Sequence, residues 1–159
     1  ISYTQLVSTM PLDKLLQISQ NIPDKVKDCI KFLKYNSLFL VNIIARKTNL
    51  NGIQRLYSSD QNIVFHKLVL NGSSSSNNCN DYGYELLQGE VSFSKYKPIN
   101  STNLTETMIS NLLKLNILAN HSDVENVEIK KINYAYPITI KNTKKVREYL
   151  RTYWNFLCF

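Results

Sequence analysis

The longest apolar run of the chain, residues 38–45, places the tightest constraint on the fold. It reads LFLVNIIA, so seven of its eight side chains are apolar and Asn42 interrupts them. A helix that spans a bilayer needs about 20 apolar residues, whereas a short run rich in Leu, Ile, Val and Phe is typical of a buried strand. We therefore predict a buried strand over residues 37–46 and no membrane-spanning segment.

Apolar periodicity divides the rest of the chain into further strands and helices. It predicts strands over residues 1–9, 53–58, 63–70, 84–94, 127–140 and 155–159, and helices that begin near Pro11, Pro23, Asn103 and Thr143. Residues 49–52 read as a turn, from which segment 53–58 is expected to pair back on 37–46 as a hairpin. Strands in a block with inserted helices indicate an α+β fold. We expect a mainly antiparallel sheet of about five to six strands with helices on one side.

The segment 104–115 has the clearest helical pattern. Asn103 precedes it and Glu106 follows three residues later, which is the spacing of a capping box. Its apolar side chains share one face of a helix and are expected to pack on the sheet; they are Leu104, Met108, Ile109, Leu112 and Leu113.

Residues 71–81 interrupt the strands with a polar, low-complexity sequence, NGSSSSNNCND. Such a segment cannot bury enough apolar surface to offset the entropy lost on ordering. We predict a flexible loop at 71–81 within a single domain that spans residues 1–159, a length suited to one domain.

The chain carries a formal net charge of +7, which raises the question of an anionic partner. Most basic residues are scattered, and the densest group is Lys141, Lys144, Lys145 and Arg147. Two readings stay open. One is a solvated basic face that other parts of a larger protein balance; the other is a stand-alone basic module that binds nucleic acid or an acidic partner.

Three cysteines without paired spacing indicate neither a disulfide framework nor a zinc site. A reducing, cytoplasmic location is the expectation. His121 and Asp123 lie two residues apart, but one such pair does not make a metal site, and we predict no bound metal.

The four glycines do not form a phosphate-binding loop. Gly52, Gly72, Gly83 and Gly89 match neither the dinucleotide-binding nor the nucleotide-triphosphate spacing. The zinc-protease and nucleophile-elbow motifs are also absent from the sequence. The chain therefore has no recognisable catalytic set, and we predict no catalytic residue in it.

Tyrosine is abundant, with ten residues, and Tyr134 and Tyr136 lie two apart in a predicted strand. Side chains at that spacing face the same side of a sheet, where they either wall a ligand pocket or pack in the core. His66 is open to two similar readings, a structural role on its strand or a contact to substrate.

The order of several segments resembles one family. Residues 6–12 (LVSTMPL) are similar to the crossing at which flavin-dependent amine-oxidase-like enzymes return from the substrate domain. Residues 37–46, 63–70 (IVFHKLVL) and 84–94 (YELLQGEVSFS) resemble successive strands of that domain. Residues 132–138 (INYAYPI) resemble its Tyr-Pro strand. The similarity is closest to the protoporphyrinogen-oxidase-like and UDP-galactopyranose-mutase-like branches.

This resemblance implies a substrate-binding segment of an FAD-dependent oxidoreductase or mutase. The family builds its FAD domain from sequence on both sides of this segment, including a glycine-rich loop that the chain lacks. The resemblance places only Ser8 and Thr9 beside the flavin. Because the chain starts without methionine, in strand-like sequence, we expect a fragment. We expect it to be inactive by itself and to bind no FAD.

The resemblance also suggests which residues meet the substrate. We predict substrate contacts at Arg55, Tyr57, His66, Lys67, Tyr134 and Tyr136. The two cations would neutralise an anionic small molecule, and the tyrosines would stack on it or donate hydrogen bonds. The expected partner is the FAD-binding domain of the same polypeptide. Its absence would leave an apolar edge open to self-association, at Leu6, Trp154, Phe156 and Phe159.

Overall fold

The computed structural model describes residues 4, 6–46, 48, 50, 52–74 and 83–154 of the chain. In chain order the elements are α1 (Leu12–Ile18), α2 (Asp24–Lys27), a 3₁₀ helix (Asp28–Phe32), β1 (Lys34–Arg46), β2 (Arg55–Tyr57), β3 (Lys67–Leu70), α3 (Asn71–Ser74), β4 (Tyr84–Phe93), α4 (Leu104–Lys114), a second 3₁₀ helix (His121–Asp123), β5 (Val124–Ile138) and α5 (Thr143–Trp154).

The strands form one five-stranded sheet in the order β2-β3-β4-β1-β5. The pairs β2–β3, β3–β4 and β1–β4 are antiparallel. Across β1 and β5, Ser37 Oγ donates to the Asn133 carbonyl and Asn42 Nδ2 donates to Glu128 Oε2, so residue numbers rise on one strand as they fall on the other. That pairing is antiparallel too, and the predicted α+β fold with a mainly antiparallel sheet is confirmed.

The sheet has one apolar face and one polar face within the compact unit Asn36–Ala135. Side chains alternate along each strand, and the odd-numbered positions of β1 and β4 point into the hydrophobic core. The side chains that line this core from the sheet are Phe39, Val41, Ile43, Ala45, Leu68, Leu70, Leu87 and Val91. The burial of this face defines the register, because a shift by one residue would expose it.

Helix α4 covers the apolar face, as its periodicity predicts. Leu104, Met108 and Leu112 join the core and are essentially inaccessible to solvent. Helix and sheet approach closely at Gly89 of β4, where an added Cβ would overlap the terminal methyl of Met108. Glycine at this position therefore lets a long side chain of the helix reach the sheet surface.

The second compact unit comprises Ile1–Tyr35 and Tyr136–Phe159. Its described residues have a core of their own, in which α5 contributes Val146 and Leu150. The helical segments before β1 contribute the remaining buried side chains, Leu16, Ile22, Val26 and Cys29. The prediction of a single domain over residues 1–159 stays a prediction.

The predicted hairpin between segments 37–46 and 53–58 is wrong. Both edges of β1 are occupied, one by β4 and the other by β5, so β2 pairs with β3 at the far edge of the sheet instead. The predicted strand 63–70 is also shortened to Lys67–Leu70. The backbone N–H of Val64 donates to Asn111 Oδ1 of α4 at 2.7 Å and not to a neighbouring strand. His66 still forms backbone hydrogen bonds with Ser58 and Glu90 on its two sides.

Several boundaries differ from the prediction at the N-terminal side. Residues 4 and 6–9, the described part of the predicted strand 1–9, form no strand. The helix predicted to begin near Pro23 is one α-helical turn followed by a 3₁₀ segment, and β1 already begins at Lys34. The predicted final strand, residues 155–159, lies outside the described residues.

The predicted capping box at Asn103 and Glu106 is wrong. Asn103 has φ −102° and ψ 7°, outside the extended conformation that directs a capping side chain at the first turn, and its side chain makes no capping bond. A capping box occurs instead at Asn120 and Asp123.

The loop predicted over residues 71–81 begins with a single helical turn, Asn71–Ser74. The other residues of that loop, 75–81, lie outside the described part of the chain. No helix of the described residues has the length and apolar character needed to cross a membrane.

Candidate functional site

Cross-strand register gathers several of the predicted site residues on the polar face of the sheet. Tyr57 of β2 is opposite Lys67 of β3, and Lys67 is opposite Glu90 of β4. Directly paired residues of antiparallel strands project from the same face. We call this surface the polar face; its polar members are Asn42, Arg55, Tyr57, Lys67, Gln88, Glu90 and Glu128.

The centre of the polar face is a carboxylate that is largely removed from solvent. The Glu90 side chain is 8 % exposed, and Lys67 Nζ donates to its Oε1 at 2.6 Å. A buried carboxylate is costly unless a cation and hydrogen bonds compensate its charge. Lys67 therefore holds Glu90 in the sheet, and its ammonium is already engaged there.

His66 joins the same cluster from the residue just before β3. Its Nε2 lies 3.6 Å from Glu90 Oε2, and its Nδ1 lies 3.2 Å from Ser92 Oγ. The backbone N–H of His66 donates to the Glu90 carbonyl. Two ring contacts fix the orientation of the imidazole, and the side chain is still 40 % exposed. His66 thus presents one edge of its ring to solvent while Glu90 and Ser92 position the other.

Adjacent residues His66 and Lys67 reach one carboxylate because the strand alternation breaks between them. Ile63 and Phe65 are buried before the break, and Leu68 is buried after it. The apolar parity therefore changes from odd to even positions, which a continuous strand cannot accommodate. Because β3 begins only at Lys67, the side chains of both His66 and Lys67 can face Glu90.

A row of side-chain amides continues the polar face toward β5. Gln88 Nε2 donates to Asn42 Oδ1 at 2.9 Å, and Asn42 Nδ2 donates to Glu128 Oε2 at 3.3 Å. Lys130 Nζ lies 3.4 Å from the same Glu128 oxygen. These contacts link three neighbouring strands, so the polar face is a connected hydrogen-bonding surface.

Arg55 and Tyr57 lie at the β2 edge of this surface. Tyr57 is 68 % exposed, and Arg55 is also exposed. Among the described residues, no carboxylate forms an ion pair with Arg55. Its guanidinium is therefore the cation of the predicted set that is accessible to an incoming anion, whereas Lys67 is committed to Glu90.

The other predicted residues are placed as follows. Tyr134 and Tyr136 share one parity of β5, with Tyr134 half-buried and Tyr136 44 % exposed. Ser8 and Thr9 lie in the irregular segment before α1, within the compact unit that contains residues 1–35. Ser8 Oγ accepts a hydrogen bond from the Met10 N–H at 3.3 Å, and Thr9 is exposed.

Sequence reasoning did not assign Glu90, Ser92, Gln88 or Asn42 to the site. Two signals were present in the sequence. Glu90 places a charge between Gly89 and Val91 in a strand otherwise suited to burial, and Asn42 interrupts the longest apolar run. A buried strand tolerates such residues only where neighbouring strands supply partners. Among the described residues no group of three or more His, Cys, Asp or Glu side chains could hold a metal ion.

Comparison with solved structures shows which known protein shares this fold. No family model matches the sequence, and no curated protein matches it. A solved structure of reduced UDP-galactopyranose mutase does match the chain, with a TM-score of 0.86 and 26 % sequence identity. The match covers 96 % of this chain and 34 % of that protein, so the chain spans about a third of its length. The chain therefore has the fold of one part of that mutase.

Proposed function

We propose that this chain is the substrate-binding part of an FAD-dependent oxidoreductase or mutase. The observation that carries the proposal is the match of nearly the whole chain to one third of a UDP-galactopyranose mutase. The polar face supports it, because a hydrogen-bonding surface with cations at its edge suits a polar, anionic small molecule. The alternative of a stand-alone basic module has no support from the matched fold.

Each residue of the predicted substrate set has a role in this proposal. Arg55 neutralises the charge of an anionic substrate through paired N–H donors, which suit a carboxylate or phosphate. Lys67 and His66 keep Glu90 compensated and contribute hydrogen bonds at the centre of the face. Tyr57 and Tyr134 provide rigid aromatic surfaces with hydroxyl tips that stack on the ligand or hydrogen bond to it. Tyr136 belongs to the other compact unit, and its substrate contact stays a prediction.

The flavin in this proposal is held by sequence outside the chain. The pyrophosphate of a dinucleotide cofactor lies at the N-terminus of a helix, where glycine residues allow the backbone to approach it closely. Gly52 and Gly83 have positive φ values and precede strands. Gly72 is the second residue of the single-turn helix α3 after β3, but the glycine spacing of a phosphate loop is absent around it. Gly89 is buried under Met108. Ser8 and Thr9 are the residues that the proposal puts beside the flavin in the complete protein.

The proposed partner is the FAD-binding domain of the same polypeptide, in a cytoplasmic protein. Large apolar side chains of the segment before α1 are exposed, with Leu6 at 58 % and Val7 at 92 %. Exposed apolar side chains of this kind are suited to packing against another domain, or to self-association when that domain is absent. The other residues of the predicted apolar edge, Phe156 and Phe159, lie outside the described residues, as does the Trp154 side chain.

Substrate binding is tested by an NMR titration of the ¹⁵N-labelled chain with UDP-galactopyranose, using galactose as the uncharged comparison. We expect chemical-shift changes on the polar face, and we expect Arg55→Gln to weaken binding about tenfold, a typical effect of losing a charged hydrogen bond. Lys114→Gln is the matched control, because it removes the same charge from the end of α4, on the opposite face of the sheet. Equal effects of the two variants, or shifts confined to the α4 side, would contradict the assignment.

The cofactor proposal has a separate test. The purified chain is expected to be colourless and to leave the fluorescence of added FAD unchanged, since the glycine-rich phosphate loop is missing from it. A yellow preparation with stoichiometric, tightly held flavin would show that the chain contains a complete FAD site.

A further inference from the structure

Ser92 lies on the polar face, but the proposed function gives it no role. It belongs to β4, two residues beyond Glu90 and opposite Leu38 of β1. Side chains two residues apart project from the same face of a strand, so Ser92 shares the face of Glu90. The Ser92 side chain is half-buried, and its Oγ lies 3.2 Å from His66 Nδ1. The hydroxyl therefore borders both the cluster around Glu90 and the solvent above the sheet.

The other ring nitrogen of His66 determines the direction of this hydrogen bond. His66 Nε2 lies 3.6 Å from Glu90 Oε2, and Lys67 Nζ contacts the other oxygen of the same carboxylate. An ionised carboxylate accepts hydrogen bonds and cannot donate them. It therefore favours the neutral tautomer of His66 that carries its hydrogen on Nε2. Nδ1 of that tautomer is an acceptor, so the Ser92 hydroxyl donates to it.

The direction of this hydrogen bond reverses when His66 takes up a proton from solvent. Both ring nitrogens of an imidazolium are donors, so Nδ1–H then donates to Ser92 Oγ. The hydroxyl hydrogen of Ser92 is released from the ring and can turn toward solvent, because a hydroxyl rotates to suit its partners. The polar face thereby gains one positive charge and one outward hydrogen-bond donor at the same place.

The charges that face His66 belong to the neighbouring strands. The Glu90 carboxylate and the Lys67 ammonium are in contact at 2.6 Å and compensate each other. The other charged or titratable groups of the polar face are Arg55 and Tyr57 on β2 and Glu128 and Lys130 on β5. Histidine is the side-chain type whose charge ordinarily changes between about pH 5 and 8. Uptake of one proton by His66 therefore changes the net charge at the centre of the face by one unit.

We propose that Ser92 is a substrate-binding residue and that the protonation state of His66 determines whether its hydroxyl accepts from the substrate or donates to it. The inference rests on the proposed function, because it concerns the same face and an anionic substrate. Ionised phosphate and carboxylate oxygens accept hydrogen bonds only, so they bind more tightly when His66 is charged and Ser92 is a donor. A neutral sugar hydroxyl donates as well as accepts, and it distinguishes little between the two states.

The proposal predicts a pH dependence of defined sign and size. UDP-galactopyranose is the probe, and its diphosphate is a diester whose charge stays constant between about pH 5 and 8. The gain of a charge-assisted hydrogen bond is expected to lower its Kd about tenfold when the pH falls from about 8 to about 5.5. Because a single proton is coupled to binding, the slope of log Kd against pH should not exceed about one.

The test is an NMR titration of the 159-residue chain with UDP-galactopyranose across this pH range, with galactose as the uncharged comparison. His66→Gln is expected to abolish the pH dependence of the Kd. His121→Gln is the matched control, because it removes the other histidine of the chain, which lies in the 3₁₀ helix before β5. Ser92→Ala is expected to reduce the pH effect to about threefold, because the charge of His66 remains. Ser110→Ala, at an exposed position of α4, is its control.

A separate measurement needs neither ligand nor variant. Proton–nitrogen correlation spectra of the imidazole rings report the tautomer of neutral His66, which is expected to carry its hydrogen on Nε2; a hydrogen on Nδ1 would overturn the proposal. A pH dependence that persists in His66→Gln would assign it to another group of the face, such as Glu90, and an unchanged pH effect in Ser92→Ala would remove Ser92 from the site. Binding that does not vary with pH would overturn this inference alone, whereas no binding at any pH would contradict the proposed function as well.

Discussion

Substitution of Gly89 by alanine tests the packing of α4 on the sheet. The added Cβ would overlap the terminal methyl of Met108, whose side chain is 0 % exposed and has neighbours on every side. Forcing an extra carbon into a filled core costs about 1–3 kcal/mol. Glycine within a strand is itself less favourable than alanine by about 0.5–1 kcal/mol. The two effects oppose each other, and Gly89→Ala is expected to lower the free energy of unfolding by about 0–2.5 kcal/mol.

The same substitution should change sign when Met108 is shortened. Met108→Ala by itself is expected to cost about 2–5 kcal/mol, because it leaves a cavity over β4. In that background the overlap is gone, so Gly89→Ala should stabilise the protein by about 0.5–1 kcal/mol through the backbone effect. The coupling between the two positions is then about 1–3 kcal/mol.

Urea denaturation of the four proteins of this cycle, followed by circular dichroism and by tyrosine fluorescence, measures the coupling. With a slope of about 2 kcal/mol per molar urea, a coupling of 2 kcal/mol displaces the midpoint by about 1 M. Gly83→Ala is the matched control. Gly83 has φ +79° and no atom within 4 Å of an added Cβ, so its cost comes from the backbone and is independent of residue 108. An identical effect of Gly89→Ala in both backgrounds would refute the packing argument.

Three further outcomes follow from individual contacts. Lys67→Met is expected to cost about 3–5 kcal/mol because it removes the ammonium that pairs with the buried Glu90 carboxylate; Glu90→Gln introduced into Lys67→Met should recover part of that loss in urea denaturation. Asn111→Ala should cost about 1–3 kcal/mol by leaving the Val64 N–H unsatisfied, and an unchanged urea midpoint would contradict this contact. Burial, with a smaller contribution from the nearby Asp28, raises the pKa of the Cys29 thiol. Iodoacetamide at pH 8 should therefore alkylate Cys29 more slowly in the folded than in the urea-unfolded chain. Mass spectrometry of a Cys79→Ser/Cys158→Ser variant measures the two rates, and equal rates would contradict the prediction.

The pKa of Cys29 also sets the direction of a pH effect. A thiol whose pKa is higher in the folded than in the unfolded state contributes stability that is present below its unfolded pKa and is lost as the pH rises through the folded value. Any contribution of Cys29 is therefore complete at neutral pH and declines only in alkaline solution. Cys29→Ser should reduce this alkaline component of the stability profile.

Much of the fold could be predicted from local patterns. The sequence predicted strand β1 and helix α4 closely. The apolar residues of each element recur at the spacing that the backbone geometry of a strand or a helix imposes. The α+β class followed from the order of these elements along the chain. Elements with a strong pattern of their own are therefore well determined by the sequence.

The polar face depended on pairings between distant segments. Lys67 and Glu90 lie 23 positions apart in the chain and meet through the register of β3 and β4. Nothing local in either strand specifies that register; the burial of Leu68, Leu70 and Leu87 on the opposite face does so. His66 and Lys67 could be selected from the sequence as candidates, but the carboxylate that they meet could not.

The position of β2 shows the same difference between what the local sequence predicts and what strand pairing decides. Its sequence is strand-like and follows β1 closely, which favours a hairpin, yet β1 exposes no free edge once β4 and β5 have paired with it. The sequence by itself thus determined which segments become strands and helices, because those preferences depend on neighbouring residues. Tertiary structure decided which strands pair and which polar side chains meet, because these outcomes depend on burying one common apolar face.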